Sequence, residues 1–203
     1  MAEIKTLFWD VGGVLLTNGW DRRSRHSAME KFGLDWEEFQ DRHEFVSADF
    51  EIGKLTLDEY LERTVFYRDR PFTREDFVGF MEAQSEAYPE SLALLERLAS
   101  SGEYLLATLN NESRELNEFR IERFGLRDHF SLFLSSCYLG MRKPEEGMYR
   151  LAVDITQSRP DQCVFIDDRS LNLECSWLIG IGSVHFQDVE QLRTALAGYG
   201  VEA

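Results

Sequence analysis

The sequence predicts an α/β protein, a Rossmann-like parallel sheet carrying an inserted all-helical block. Short apolar runs alternate with helix-period segments through the carboxyl half. An early apolar run ends in Asp10 and the Gly12-Gly13 pair, and the stretch from Asn18 to Tyr88 shows helical periodicity without a convincing strand.

In order, Thr6–Asp10 reads as a buried strand that passes into a tight glycine turn. Helices are expected over Arg22–Phe32, Trp36–Val46, Leu57–Phe66 and Thr73–Tyr88, and Thr56 with Glu59 has the spacing of a capping box. Pro89 marks the return to alternation. The expected order from there is helix Ser91–Ser101, strand Tyr104–Leu109, helix Arg114–Phe124, strand Leu132–Ser135 and helix Glu145–Val153. Strand Cys163–Ile166, helix Leu171–Ile179, strand Ser183–Phe186 and helix Val189–Ala197 complete it. Strands separated by helices require crossover connections, hence a parallel sheet covered on both faces. Residues 1–16 and 89–203 then form a core domain, and residues 17–88 a helical cap entering at the carboxyl end of strand one, the rim where such sheets gather ligands.

The chain has 203 residues, 37 acidic and 22 basic, for a net charge of −15. Its 43% hydrophobic content is enough to close a core, which excludes a disordered acidic chain. The negative field repels phosphate backbones and anionic lipid, so neither nucleic acid nor a membrane surface is an expected partner. No run approaches the ~20 apolar residues of a membrane span. Met1–Thr6 lacks the basic and apolar pattern of a secretory signal. Cys137, Cys163 and Cys175 are odd in number, widely spaced and without a C-x-x-C pair, and read as reduced, mostly buried thiols of a cytoplasmic protein. Oligomeric state is not legible.

Three strands end in groups capable of chemistry: Asp10, Asn110-Asn111 and Asp167-Asp168. A fourth loop, Gly140-Met141-Arg142-Lys143-Pro144, brings one of only four lysines. Strand ends of a parallel sheet share one rim, so these carboxylates, amides and the ammonium converge. Adjacent carboxylates ending an apolar strand are costly unless neutralised, and a hard cation such as Mg²⁺, which needs few protein ligands, suits Asp10 and the acidic pair. Lys143 adds a compact charge for a carboxylate or phosphate; as a loop lysine before Pro144 it is expected to bury little surface.

These residues resemble the four ordered motifs of the haloacid dehalogenase (HAD) superfamily. The motifs are Phe8-Trp9-Asp10-Val11-Gly12-Gly13-Val14-Leu15, Leu109-Asn110-Asn111, Gly140–Pro144 and Phe165-Ile166-Asp167-Asp168. The likeness covers the chain, including a helical cap of C1 type, and is nearest the branch of sugar-1-phosphate phosphatases and the phosphatase domain of soluble epoxide hydrolase. It implies that Asp10 is the nucleophile of an aspartyl-phosphate mechanism and that Lys143 orients it. It further implies that Mg²⁺ is held by Asp10, the Gly12 carbonyl and Asp168, with Asp167 beside them, and that Gly12, Gly13, Asn110 and Asn111 receive the phosphate of a small phosphorylated metabolite.

Two departures stand out. Phosphatases of the family carry a second aspartate two residues after the nucleophile as general acid/base, and here that position is Gly12. Leu109 occupies the place of the motif-two hydroxyl, while Thr108 should point to the other face by strand alternation. Weakened phosphatase activity is therefore expected unless the cap supplies an acid, for which His26, Asp21 and His43 are candidates. A non-catalytic module binding a phosphorylated ligand is one alternative. Haloacid dehalogenation is another, disfavoured by the acidic pair.

Overall fold

The computed structural model describes residues 2–202. Five parallel strands lie in the order β3-β2-β1-β4-β5: β1 (Thr6–Trp9), β2 (Leu105–Asn110), β3 (Leu132–Ser135), β4 (Cys163–Asp167) and β5 (Gly182–His185). Strand β1 is central, with Trp9 opposite Thr108 on one side and Ile166 on the other. That register brings Asp10, Asn110 and Asp167 to one edge.

Alternation along each strand assigns its side chains to two apolar layers. Leu7 and Trp9 of β1 pack with Leu106, Val164 and Ile166 against α5 (Pro89–Ser101) and α10 (Val189–Gly198). Phe8 packs with Ala107, Leu109 and Phe165 against α8 (Glu146–Thr156) and α9 (Ser170–Leu178) on the opposite face. Burial on both faces is why these strands read as continuous apolar runs.

Between β1 and α5 lie α1 (Arg22–Phe32), α2 (Trp36–Glu51), α3 (Leu57–Thr64) and α4 (Arg74–Ala83), built around a separate aromatic cluster that includes Trp20, Phe39, Tyr60 and Phe77. The Thr56–Glu59 capping box forms as expected, with Glu59 N–H donating to Thr56 Oγ1 at 3.2 Å. The entering and returning segments are tied together: Thr17 N–H donates to Glu86 O and Tyr88 N–H to Leu15 O, each at 2.9 Å. This pairing stops α4 at Ala83 rather than at Tyr88, because residues beyond it are recruited into the crossing. Helix α2 instead runs five residues past Val46, since Phe50 is buried and stacks on Tyr60 at 4.2 Å. No described helix is long and apolar enough to cross a membrane.

Candidate active site

Asp10 follows directly on β1, its N–H donating to Ile166 O at 2.9 Å. Its carboxylate is buried, and Oδ1 accepts from Val11 N–H at 2.8 Å and pairs with Lys143 Nζ at 3.0 Å. Lys143 Nζ also reaches Asp167 Oδ2 at 2.6 Å. The lysine was expected to bury little surface, but it is 3% exposed, and its charge is enclosed between two carboxylates above the Phe165 ring.

Asn111 explains how the Lys143 loop is held. Its Oδ1 accepts the Lys143 N–H at 2.8 Å while its Nδ2 donates to the Lys143 carbonyl at 2.9 Å. A side-chain amide thereby satisfies both polar groups of one residue's backbone, as a neighbouring strand would. Asn110, by contrast, turns into the layer between β2, β3 and α6 (Arg114–Arg123). It donates to Asn117 Oδ1 at 3.1 Å and accepts from Ser135 Oγ at 2.8 Å.

Asp167 is fully buried and accepts from Arg169 N–H, Asn172 Nδ2 and Lys143 Nζ, so most of its lone pairs are used inside the protein. Asp168 differs. Its Oδ1 is buried without a hydrogen-bond partner among the described residues, and a Cβ on Gly13, whose φ is +79°, would lie 2.2 Å from its Oδ2. Only glycine leaves that carboxylate its place.

Ligand atoms of Asp10, Asp167 and Asp168 all fall within 4.8 Å of one another. Burial, joined by repulsion from Asp167 and Asp168, pushes the Asp10 carboxyl up to about 7 against the pull of Lys143. The Asp168 carboxyl is likewise raised, by burial first and then by Asp167. Three carboxylates thus share one ammonium, and one buried oxygen among them is unpaired. A hard divalent cation fits this donor set, with Asp10 and Asp168 as the carboxylates free to hold it.

A cavity of about 500 Å³ opens over Asp10 and Lys143 towards the inserted helices. Its far wall carries Trp20, Arg22, Arg25 and His43. Arg142 Nη1 meets Glu51 Oε2 at 2.7 Å, and Leu57 N–H donates to Glu115 Oε1 at 2.9 Å, linking α2 and α3 to the sheet side.

Of the acid candidates, Asp21 caps α1 through the Ser24 N–H at 2.8 Å, and His26 lies on the surface beside Glu30. His43 faces the cavity with Nδ1 2.8 Å from the Tyr60 hydroxyl, and burial with the nearby Arg25 charge lowers it to about 3. Its ring is neutral at neutral pH. Sequence reasoning missed Glu112 and Arg120, which form a buried pair at 2.9 Å on the same wall. The visible signal was a glutamate immediately after the Asn110-Asn111 strand end. Cys137 and Cys163 are buried, and that burial pushes their thiols up to about 12 and about 11.

Known proteins share both the pattern and the fold. The chain is 28% identical over 180 residues to an Arabidopsis thaliana protein named flavin mononucleotide hydrolase 1, covering 84% of this chain and 69% of that one. It is 32% identical over 65 residues to Sus scrofa bifunctional epoxide hydrolase 2, a match spanning 32% of this chain and only 12% of that protein. A solved HAD family enzyme from Bacteroides thetaiotaomicron, in complex with magnesium and inorganic phosphate, superposes with a TM-score of 0.76 at 22% identity, covering 93% of this chain and 98% of that one. The model of the haloacid dehalogenase-like hydrolase family matches residues 4–174, a span that runs from β1 through the acidic pair into α9; the chain belongs to that family of hydrolases.

Proposed function

We propose that the protein is a Mg²⁺-dependent phosphatase that hydrolyses a small phosphorylated metabolite through a phosphoryl group carried on Asp10. The observation that carries this reading is the buried Asp10–Lys143–Asp167 chain beside the unpaired Asp168 oxygen. Dehalogenation at carbon would need neither the acidic pair nor a cation to balance it. The relative named as a flavin mononucleotide hydrolase, and the magnesium and inorganic phosphate in the Bacteroides enzyme, support the same reading.

In the proposed reaction, an Asp10 carboxylate oxygen bonds to phosphorus as the ester P–O bond breaks, giving an aspartyl phosphate and an alkoxide that must take up a proton to leave as the alcohol. Water then attacks phosphorus, the P–O bond to Asp10 breaks, and phosphate leaves. Lys143 fixes the Asp10 carboxylate and offers positive charge to the transferring group. Asp10 and Asp168, with the Gly12 carbonyl, would hold Mg²⁺, which supplies charge neutralisation at the phosphoryl oxygens. Asn111 positions Lys143, and Gly13 makes room for Asp168. Residues 17–88 act as a cap over the core of residues 1–16 and 89–203, its arginines drawing an anion into a chain of net charge −15. The reading assumes a cytoplasmic setting, in keeping with reduced thiols.

Gly12 contributes no acid. Sites that lack a general acid lose about 10²–10⁴-fold on poor leaving groups. Activity on alkyl phosphates therefore depends on another proton source.

Phosphate release from alkyl, aryl and acyl phosphates, with and without Mg²⁺, tests the assignment. Turnover should require Mg²⁺ and vanish in Asp10→Asn, and calorimetric titration should show weaker Mg²⁺ binding by Asp168→Asn than by wild type. Equal Mg²⁺ binding by both proteins, or turnover that survives Asp10→Asn, contradicts it.

A further inference from the structure

With no side chain at Gly12, the proton for an alkoxide leaving group must come from elsewhere in the cavity. Five acidic or imidazole side chains line it: Asp10, Asp21, His43, Glu51 and Glu112. Asp10 is the nucleophile, Asp21 caps α1, Glu51 is held by Arg142, and His43 is hydrogen-bonded to Tyr60. Glu112 is paired too, with Arg120 at 2.9 Å, but its partner is the group that borders Gly12, and that sets it apart from the other four.

We propose that Glu112 protonates the leaving oxygen and then takes a proton from the attacking water, standing in for the side chain absent at Gly12; this rests on the phosphatase reading. Its placement supports the role. A Cβ on Gly12 would lie 3.8 Å from Arg120 Nη1, and that same nitrogen holds Glu112 Oε2 at 2.9 Å. The Glu112–Arg120 pair therefore borders the space a residue-12 side chain would enter. Gly19, whose φ of +64° favours glycine, runs alongside the pair: a Cβ there would lie in ordinary contact, 3.4 Å from Arg120 Nη1 and 3.7 Å from Glu112 Oε2.

The carboxylate is also fixed in place. Glu112 Oε1 accepts from Ser113 N–H at 2.9 Å, the Glu112 N–H donates to Ser136 Oγ at 3.0 Å, and Arg120 Nη2 donates to the Thr17 carbonyl. Glu112 is 9% exposed. Burial raises its carboxyl above the ordinary range, Glu51 facing it from α2 adds to that, and Arg120 from α6 opposes both. These opposing influences suit a group that must exist in both protonation states.

The steps balance. As the Asp10–phosphorus bond forms and the ester bond breaks, the Glu112 proton passes to the departing oxygen, leaving alcohol and a Glu112 carboxylate. As water attacks the aspartyl phosphate, its proton returns to Glu112 and Asp10 is freed with release of phosphate.

The test is kcat/KM, which covers the steps through departure of the alcohol, measured with Mg²⁺ on p-nitrophenyl phosphate and on glycerol phosphate. Glu112→Gln should lose about 10²–10⁴-fold on the alkyl ester and markedly less on the aryl ester, whose leaving group needs no proton. Gly12→Asp introduced into that variant should recover part of the alkyl activity, since Gly12 lies outside the left-handed region and the tightest contact of the added Cβ, 3.2 Å to Asn18 Oδ1, is with a side-chain atom that can give by a few tenths of an ångström. If Glu112→Gln does not fold, Glu112→Asp, which keeps the charge but withdraws the carboxyl, should show the same selective loss. Equal losses on both esters, or none, overturn the role of Glu112 while leaving the phosphatase intact. Absence of Asp10-dependent release even from p-nitrophenyl phosphate overturns the phosphatase reading itself.

Discussion

Lys143 places one ammonium between two carboxylates, 3.0 Å from Asp10 and 2.6 Å from Asp167, with its side chain 1% exposed. Removing one partner from a buried pair costs about 3–5 kcal/mol, because the remaining charges lose their compensation and cannot reach water. Lys143→Met should therefore lower stability by that order as well as abolish turnover. A solvated loop lysine would change stability by only about 0.5 kcal/mol. Urea unfolding at neutral pH distinguishes the two, and a midpoint unchanged from wild type would show that Asp10 and Asp167 do not need the ammonium. The same burial explains why the residue was misjudged from sequence. A lysine beside a proline has the local signature of a surface turn; the Asn111 amide just after β2 and the Phe165 ring of β4 help to close it off.

Among the elements, those of the sheet were the most legible, because the central strands β1, β2 and β4 are buried on both faces and the register aligns Asp10, Asn110 and Asp167 at their ends. Helix ends were less so. Nothing local in Ser47–Glu51 shows that Phe50 will stack on Tyr60, nor in Gln84–Tyr88 that the chain will bond back to Leu15 and Thr17. Glu112 and Arg120 form a site only once α6 turns Arg120 back towards the strand end, a relation that depends on helix facing rather than on spacing alone. Helix α2 carries a prediction of its own. His43 is lowered to about 3 from the ordinary 6.5, so the unfolded chain binds a proton over that window while the folded one does not. Stability from this group is therefore lost as pH falls from 6.5 towards 3. His43→Gln should lose less stability than wild type over the same range in urea titrations. Parallel pH profiles would mean that the ring is not held neutral.

For the whole molecule, two apolar layers and a separate aromatic cluster enclose a cavity whose floor is anionic and whose walls carry arginines, within a chain of net charge −15. The rigid floor comes from the central strands, and the paired crossings at Leu15–Thr17 and Glu86–Tyr88 fix where the helical block stands over it. In the proposed mechanism phosphoryl transfer takes place on that floor, at Asp10. Acid quenching during turnover of p-nitrophenyl phosphate, followed by mass spectrometry of the peptide containing Asp10, tests this most directly. The predicted result is that peptide carrying one added phosphoryl group, absent in Asp10→Asn. Steady phosphate release from wild type with no phosphoryl group on that peptide, and equal release from Asp10→Asn, would contradict it.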